Sequence, residues 1–464
     1  MNKLGFKNFR RFNDFPILEL RDVNILVGAN NSGKSTFVKA AMLVMNFLKN
    51  AKAVKEGELP KFQFADIPHV NIDTFDRALS DTATERTITF SVDIHEDWDS
   101  RFDLFVHRDA DRGDRSYGYV EKIVCTFMNE DIDEDKDIMF VITFDFQNKQ
   151  TIFDESMDRT DTEPWVIPLH CKTDKTDNLI LSLFDDLISY DDDDSKSEDM
   201  LVVDMQRSGL AQRLQWPIDY FYAHAASQAP LFDTRNLNDI NAKVVEQFYK
   251  ISGYQPVMKF VRQWLKIFEI GTRLSVECIE GTAYKVSIKD GARRTNLGDM
   301  GMGTIQIVIL MMHIACLINA TVGFQKNPRR NEAIIFIEEP EQNLHPALQS
   351  RLADFFLDIA RTYGGRYIIE THSEYLVRRS QVLVAEDNRN KTPKSNAYNH
   401  SADYLAAMPH KAAGDVFSVY YFDVDGPRAM NYRRSGRFDQ SFGPGFFDEA
   451  GKWNMRLIAI RKGE

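Results

Sequence analysis

The stretch "GANNSGKST" (28–36) has residue types and a spacing that can do chemistry: it fits G-x-x-x-x-G-K-[ST]. Gly28 and Gly33 let the backbone wrap a phosphate with its N–H groups, and Asn30, Asn31 and Ser32 supply the amides between them. Lys34 is long enough to reach the β- and γ-phosphates of a nucleotide. The Ser35 hydroxyl can hold Mg²⁺, and Thr36 completes the turn. The flanking residues are the right ones. An apolar strand, "NILVG", precedes the turn, and Phe37, Ala40, Ala41, Val44 and Leu48 then repeat at helical spacing. A helix N-terminus at Lys34 would add positive potential. The competing reading is a plain glycine turn.

Three further stretches carry chemistry only if they work together. "FIEEPEQNLHP" (336–346) drives an apolar strand into two adjacent glutamates, which repel and are costly to desolvate. At the end of a strand beside the phosphate-loop strand, Glu338 would orient Mg²⁺ through water. Glu339 would act as general base toward the attacking water. A surface acid pair is the alternative. "NLGDMGMGTIQ" (296–306) places Gly301 and Gly303 just before a helix, which makes either an anion-binding terminus or a tight turn. In "IIETHSEYL" His372 follows another short strand, and helix capping by His372 or Ser373 is its ordinary explanation.

The order of these stretches is more specific than any one of them: phosphate loop, long intervening segment, glycine turn, acidic strand, histidine. In this order the chain resembles the ABC-type ATPase head, in the branch that holds RecF, SMC and overcoming-lysogenisation-defect (OLD-like) ATPases. "EEPEQNLHP" and "THSEYL" resemble the OLD-like members, and "GRFDQSFGPGFFDEA" looks like their short C-terminal module. The resemblance covers about 1–80 and 290–460.

It implies ATP and Mg²⁺ as cofactors, with Lys34 and Ser35 on phosphates and metal. Glu338 becomes the metal-water ligand, Glu339 the base and His372 the γ-phosphate contact. It implies a head-to-tail dimer, or a higher homo-oligomer, in which Gly301, Gly303, Thr304 and the rest of 301–306 touch the partner's ATP. The Asn343–His345 turn would also face the partner. The usual signature serine is not evident, so Thr304 or backbone amides would stand in. Gln63 is the candidate for the glutamine loop. The resemblance further implies a sensor and scaffold subunit of a bacterial anti-phage system such as PARIS or Septu. Such a subunit controls a separate nuclease encoded nearby, with a phage protein or nucleic acid as trigger. A RecF/SMC-type DNA-repair ATPase and a nucleotide-locked scaffold are the other readings. "FDVDG" brings Asp423 and Asp425 together, but without an upstream Glu-Gly turn they read as strand-end aspartates rather than a nuclease site.

The rest of the chain must position these residues. Its 464 residues suffice for two or three domains, and 43% are hydrophobic. The formal net charge of −12 argues against general coating of nucleic acid, and isolated Arg pairs such as Arg378-Arg379 read as solvated surface. Four scattered cysteines give neither a disulfide framework nor a zinc site, so a reducing cytoplasm fits. The start "MNKLGFKNFRRF" lacks the apolar core of a signal peptide. "IQIVILMMHIACLINA" (305–320) is read as a buried helix too short to span a membrane, with His313 a satisfied core residue.

Period-two alternation over 85–170 predicts strands with one wet face (Ile88, Phe90, Val92, Ile94; Phe140, Ile142, Phe144, Phe146). The acidic run 190–200 reads as a linker, 236–270 as helical, 274–288 as a hairpin and 385–412 as loop. The expected fold is α/β: an ABC-type P-loop ATPase head with a mixed β-sheet flanked by helices, a large β-rich and helical insertion, and a short C-terminal module. Its expected parts are an N-terminal lobe (1–84), the β-rich insertion (85–200), a helical arm and hairpin (201–290), a C-terminal lobe (291–384) and the terminal module (385–464).

Overall fold

The computed structural model describes residues 1–55, 58–93, 100–109, 113–129, 137–155, 164–169, 178–190, 198–215, 217–222, 231–236, 239–324, 333–389, 411–443, 446 and 456. Ile94, Cys171, residues 191–197 of the acidic run and residues 447–455 lie outside them. In chain order the elements begin with β1 (Lys3–Phe9), β2 (Phe12–Glu19), β3 (Val23–Gly28), α1 (Lys34–Asn50), β4 (Lys61–Gln63) and α2 (Phe75–Ala78). Next come β5 (Thr87–Asp93), β6 (Ser100–His107), β7 (Tyr117–Asn129), β8 (Asp137–Asp145), β9 (Gln150–Glu155), β10 (Trp165–Pro168), α3 (Leu179–Tyr190) and α4 (Glu198–Arg213). The second half holds β11 (Ile218–Tyr222), β12 (Phe232–Asp233), α5 (Ile240–Ile251), α6 (Gln255–Ile267), β13 (Arg273–Ile279), β14 (Ala283–Asp290) and β15 (Arg293–Asn296). It closes with α7 (Met302–Thr321), β16 (Ile334–Glu338), α8 (Pro346–Tyr363), β17 (Arg366–Glu370), α9 (Glu374–Arg389), β18 (Phe417–Asp423) and β19 (Gly426–Ala429).

The chain forms two compact units, residues 1–20 with 35–216 and residues 21–34 with 217–464. The first holds a nine-stranded sheet in the order β10-β9-β8-β7-β6-β5-β1-β2, with β4 on β7. Its neighbours run antiparallel, as the alternating pattern requires. β6 alternates buried and half-buried residues along its whole length. The buried face is largely phenylalanine: Phe62 stacks on Phe90 at 5.3 Å, and Phe184 of α3 meets Phe102, Phe127 and Phe144. The boundary expected at residue 85 falls inside this sheet. β1 pairs with β5 from Lys3↔Asp93 to Lys7↔Thr89, so the first strand and the supposed insertion share one ladder.

In the second unit a six-stranded sheet runs β11-β16-β17-β3-β18-β19, parallel throughout except for the β18–β19 hairpin. All six residues of β3 are buried, as a central parallel strand demands. A four-stranded sheet, β12-β14-β13 with β15 on β14, contains the expected hairpin, and Gly281 takes the left-handed turn position at φ 77°. α7 is apolar nearly all round. Its 20 residues are longer than the sequence run suggested and pass the length and composition of a membrane span, but 72% of its most apolar window is buried inside the protein. His313 is paired within it: Nε2 lies 2.8 Å from Asp219 Oδ2. Of the loop expected at 385–412, residues 390–410 lie outside the described residues and 385–389 are helical. α9 continues to Arg389, with Leu383 and Val384 buried and Asp387 held by Arg361 and by the Ala413 amide at 2.8 Å.

Candidate nucleotide site

The site grows from the C-terminal ends of three parallel strands: β3, β17 and β16. After β3 the chain turns through Gly28 (φ 147°), Asn31 (φ 59°) and Gly33 (φ 108°), then enters α1 at Lys34. Gly28 is required twice over. Its φ suits glycine, and a Cβ there would stand 2.2 Å from the Phe422 carbonyl oxygen on β18. Asn30 and Asn31 are exposed, Ser32 and Gly33 are buried, and Ser35 and Thr36 are half-buried at the start of α1. The Ser32 hydroxyl is buried with no hydrogen-bond partner among the described residues, a donor that a phosphate oxygen would satisfy.

Lys34 is 3% exposed. Its ammonium donates to the carbonyls of Gly28 (3.1 Å) and Ala29 (2.9 Å). Burial pushes its pKa down, and the carboxylates of Glu370, Glu339 and Glu341 pull it back up. One ammonium therefore sits in the field of three acids carried by two neighbouring turns.

The acidic strand is not the neighbour of β3. β17 lies between them, paired in parallel with β16 on one side and β3 on the other. The expected adjacency is thus corrected, and it is Glu370, at the end of β17, that raises the Lys34 pKa most. Glu338 ends β16 and accepts a hydrogen bond from the Tyr220 hydroxyl of β11. Glu339 follows in the left-handed region at φ 48°. Its N–H donates to the Glu370 carbonyl at 2.8 Å, and its Oε2 accepts from the Gln342 amide at 3.0 Å. Its Oε1 lies 3.8 Å from His372 Nε2. Burial and then Lys34 lower the His372 pKa, and Glu339 opposes them. The ring is therefore neutral near pH 7 and offers hydrogen bonds rather than charge.

Capping of α9 goes to Ser373, whose hydroxyl accepts from the Leu376 amide at 3.2 Å, which leaves the His372 ring for the site. His345 caps α8, with Nδ1 accepting from the Ala347 amide at 3.3 Å. The two glycines before α7 differ. Gly301 is the N-cap and faces open space. A Cβ at Gly303 would stand 2.4 Å from the Asn343 carbonyl oxygen, so α7 is packed onto the 339–345 turn of its own chain. Thr304 donates its amide to the Gly301 carbonyl at 2.9 Å in the first turn. Gly303→Ala should cost about 1–3 kcal/mol through overpacking against that backbone oxygen, read as a lower midpoint in denaturant unfolding. Gln63 donates its side-chain amide to the Ala65 carbonyl at 2.8 Å. Asp423 closes β18 with its carboxylate on the Val424 amide, as a strand-end turn does.

The AAA ATPase domain model matches residues 1–212 and 228–377. The chain belongs to the AAA ATPase domain family. Among curated proteins none matches it. Among solved structures this AAA ATPase chain is similar to the SMC head bound to the C-terminal winged-helix domain of ScpA (14% identity, TM-score 0.37, 82% of this chain and 91% of that one). It is also similar to the SMC head domain of Thermotoga maritima (11%, 0.35, 93% and 98%). A third is the Pyrococcus furiosus SMC head with an extended coiled coil, bound to the C-terminal domain of ScpA (12%, 0.37, 99% and 99%). The fold of this AAA ATPase chain is mixed α/β, with a large antiparallel sheet in the first unit and a mainly parallel sheet that carries the phosphate loop in the second. Sequence reasoning passed over three of its side chains, Glu370, Glu341 and Tyr220. The first had a visible signal, a glutamate ending the strand directly before Thr371-His372.

Proposed function

We propose that the chain binds and hydrolyses ATP with Mg²⁺, and that Lys34, Glu339 and His372 do the work at the transferred phosphate. The observation that carries this reading is a buried lysine at the start of α1, just past the loop after β3, in the field of carboxylates from the ends of the next two strands. Gly28, Asn30, Asn31, Ser32 and Gly33 would cradle the phosphates with their amides, and the unpartnered Ser32 hydroxyl fits that task. Ser35, Thr36 and Glu338 offer hard oxygen donors of the kind Mg²⁺ takes, Ser35 and Glu338 being its ligands in this reading. Bound Mg²⁺ would neutralise charge on the phosphates. Lys34 would leave its two carbonyls for the β- and γ-phosphates, and Glu339 would take a proton from the attacking water while His372 holds the γ-phosphate. The purified chain should turn over ATP in the presence of Mg²⁺ and lose that turnover in EDTA. No turnover above a Glu339→Gln control would overturn the reading.

The finer reading is a cytoplasmic subunit that pairs head to tail. Gly301 and Thr304 would face the partner's nucleotide while Gly303 seats α7 on the 339–345 turn of its own chain, and a separate nuclease would be the effector of an anti-phage complex. Open space at Gly301 supports an approach there by a second molecule. Co-expression with the adjacent gene product, followed by size-exclusion chromatography with and without ATP, tests both the pairing and the effector.

A further inference from the structure

We infer that Glu341 is the positioning residue of the site: its carboxylate fixes the backbone of His372 and so sets the imidazole against Glu339 and the phosphates. The inference rests on the ATPase reading above. Two turns must be held in register for that reading to work, residues 339–345 after β16 and residues 371–373 after β17. The acidic turn is braced within itself, by Gln342 N–H to the Glu339 carbonyl and Leu344 N–H to the Glu341 carbonyl. The histidine turn is braced by the Ser373 amide on the Thr371 hydroxyl. Between them run the backbone bond from Glu339 N–H to Glu370 and the bond from His372 N–H to Glu341 Oε1, at 2.7 Å. The second belongs to the residue whose ring lies at Glu339.

Glu341 does this at a cost. It is 8% exposed, and its Oε2 has no hydrogen-bond partner among the described residues. A buried polar atom left unsatisfied is unfavourable, and an apolar residue at 341 would not carry that penalty. Burial pushes the carboxyl up in pKa, against the His372 amide and the Thr371 hydroxyl, which lower it. The hydrogen bond that Glu341 makes is to the His372 amide, and its charge also bears on Lys34. Glu341 acts through His372, by converting the His372 amide from an orphan donor before α9 into a fixed point.

The test uses Glu341→Ala, Glu341→Gln and Glu341→Asp in the full chain. Amide hydrogen exchange at His372 should speed up at least ~10-fold in Ala and return to the native rate in Gln, whose carbonyl oxygen can accept the same bond. Asp, one methylene short, should behave as Ala. In steady-state assays Ala and Asp should lose kcat about 10–100-fold with KM for MgATP within about 2-fold, and Gln should restore it. A role in packing alone would lower the unfolding midpoint and leave Gln and Asp alike in kcat. If Ala does not fold, the Gln and Asp pair decides. Native exchange at His372 in Asp, or Gln and Asp with equal kcat, overturns the inference. Absence of turnover in the wild-type chain would instead sink the ATPase reading, and the exchange arm would still judge the bond.

Discussion

Glu339→Gln should lower kcat about 10²–10⁴-fold while nucleotide affinity stays near the native value. The two effects separate because they live on different elements. Affinity comes from the loop after β3 and from Lys34. The proton acceptor comes from the turn after β16. Glutamine keeps the size of the side chain and can still accept from the Gln342 amide, so the turn should survive. What it removes is the basic oxygen facing His372 Nε2. It also removes one of the three negative charges that sustain the Lys34 ammonium; Glu370, the strongest of them, remains. Equilibrium binding of a fluorescent nucleotide and single-turnover hydrolysis on the same preparation check the split. Unchanged hydrolysis would remove Glu339 from the chemistry and turn attention to Glu370, the carboxylate that most strongly supports Lys34.

Gly28→Ala should be strongly damaging to both the fold and the nucleotide loop. The added carbon would stand 2.2 Å from the Phe422 carbonyl oxygen, at a backbone φ of 147° that side-chain-bearing residues avoid. Neither atom can rotate away, since both belong to the paired backbones of β3 and β18. A cost of about 3 kcal/mol or more is expected, in the range of strain at a special backbone position. Nucleotide binding should fall with it, because the loop starts from the displaced residue. Gly301→Ala is the matching control. The same methyl there meets open space at an ordinary φ of −63°, so the unfolding midpoint should hold. Thermal unfolding of the two variants, with and without MgATP, reads both outcomes.

Sequence patterns report which face of an element is buried, and that is where reading from residues succeeded. The alternation of Ile88, Phe90 and Val92 marks β5, the helical spacing after Lys34 marks α1, and the unbroken apolar run marks α7. The same patterns are silent on which strands lie side by side. Nothing in "FIEEP" shows that β17 separates it from β3, and nothing in "KLGFKNF" shows that its partner is β5. Ladder neighbours are chosen by packing across hundreds of residues. For the same reason Glu370 and Glu341 went unassigned. Each gains its place by what another turn brings to it: the Lys34 ammonium in one case, the His372 amide in the other. The end of α9 was hidden differently. Residues 385–389 are polar enough to read as loop, and Asp387 keeps them helical through partners at Arg361 and Ala413.

The placement of β3 has a consequence for how the protein is made. The strand leaves the ribosome early, yet both of its ladder partners come late. The Asn24 side-chain amide donates to the Tyr367 carbonyl 343 residues on, and its oxygen accepts from the Ser418 hydroxyl 394 residues on. Until β17 and β18 emerge, the phosphate loop has no strand to hold its shape and Lys34 has no acids around it. Contacts of such long sequence separation form slowly. Nucleotide competence should therefore come only after β17 and β18 have emerged, well after the antiparallel sheet of the first unit could have closed.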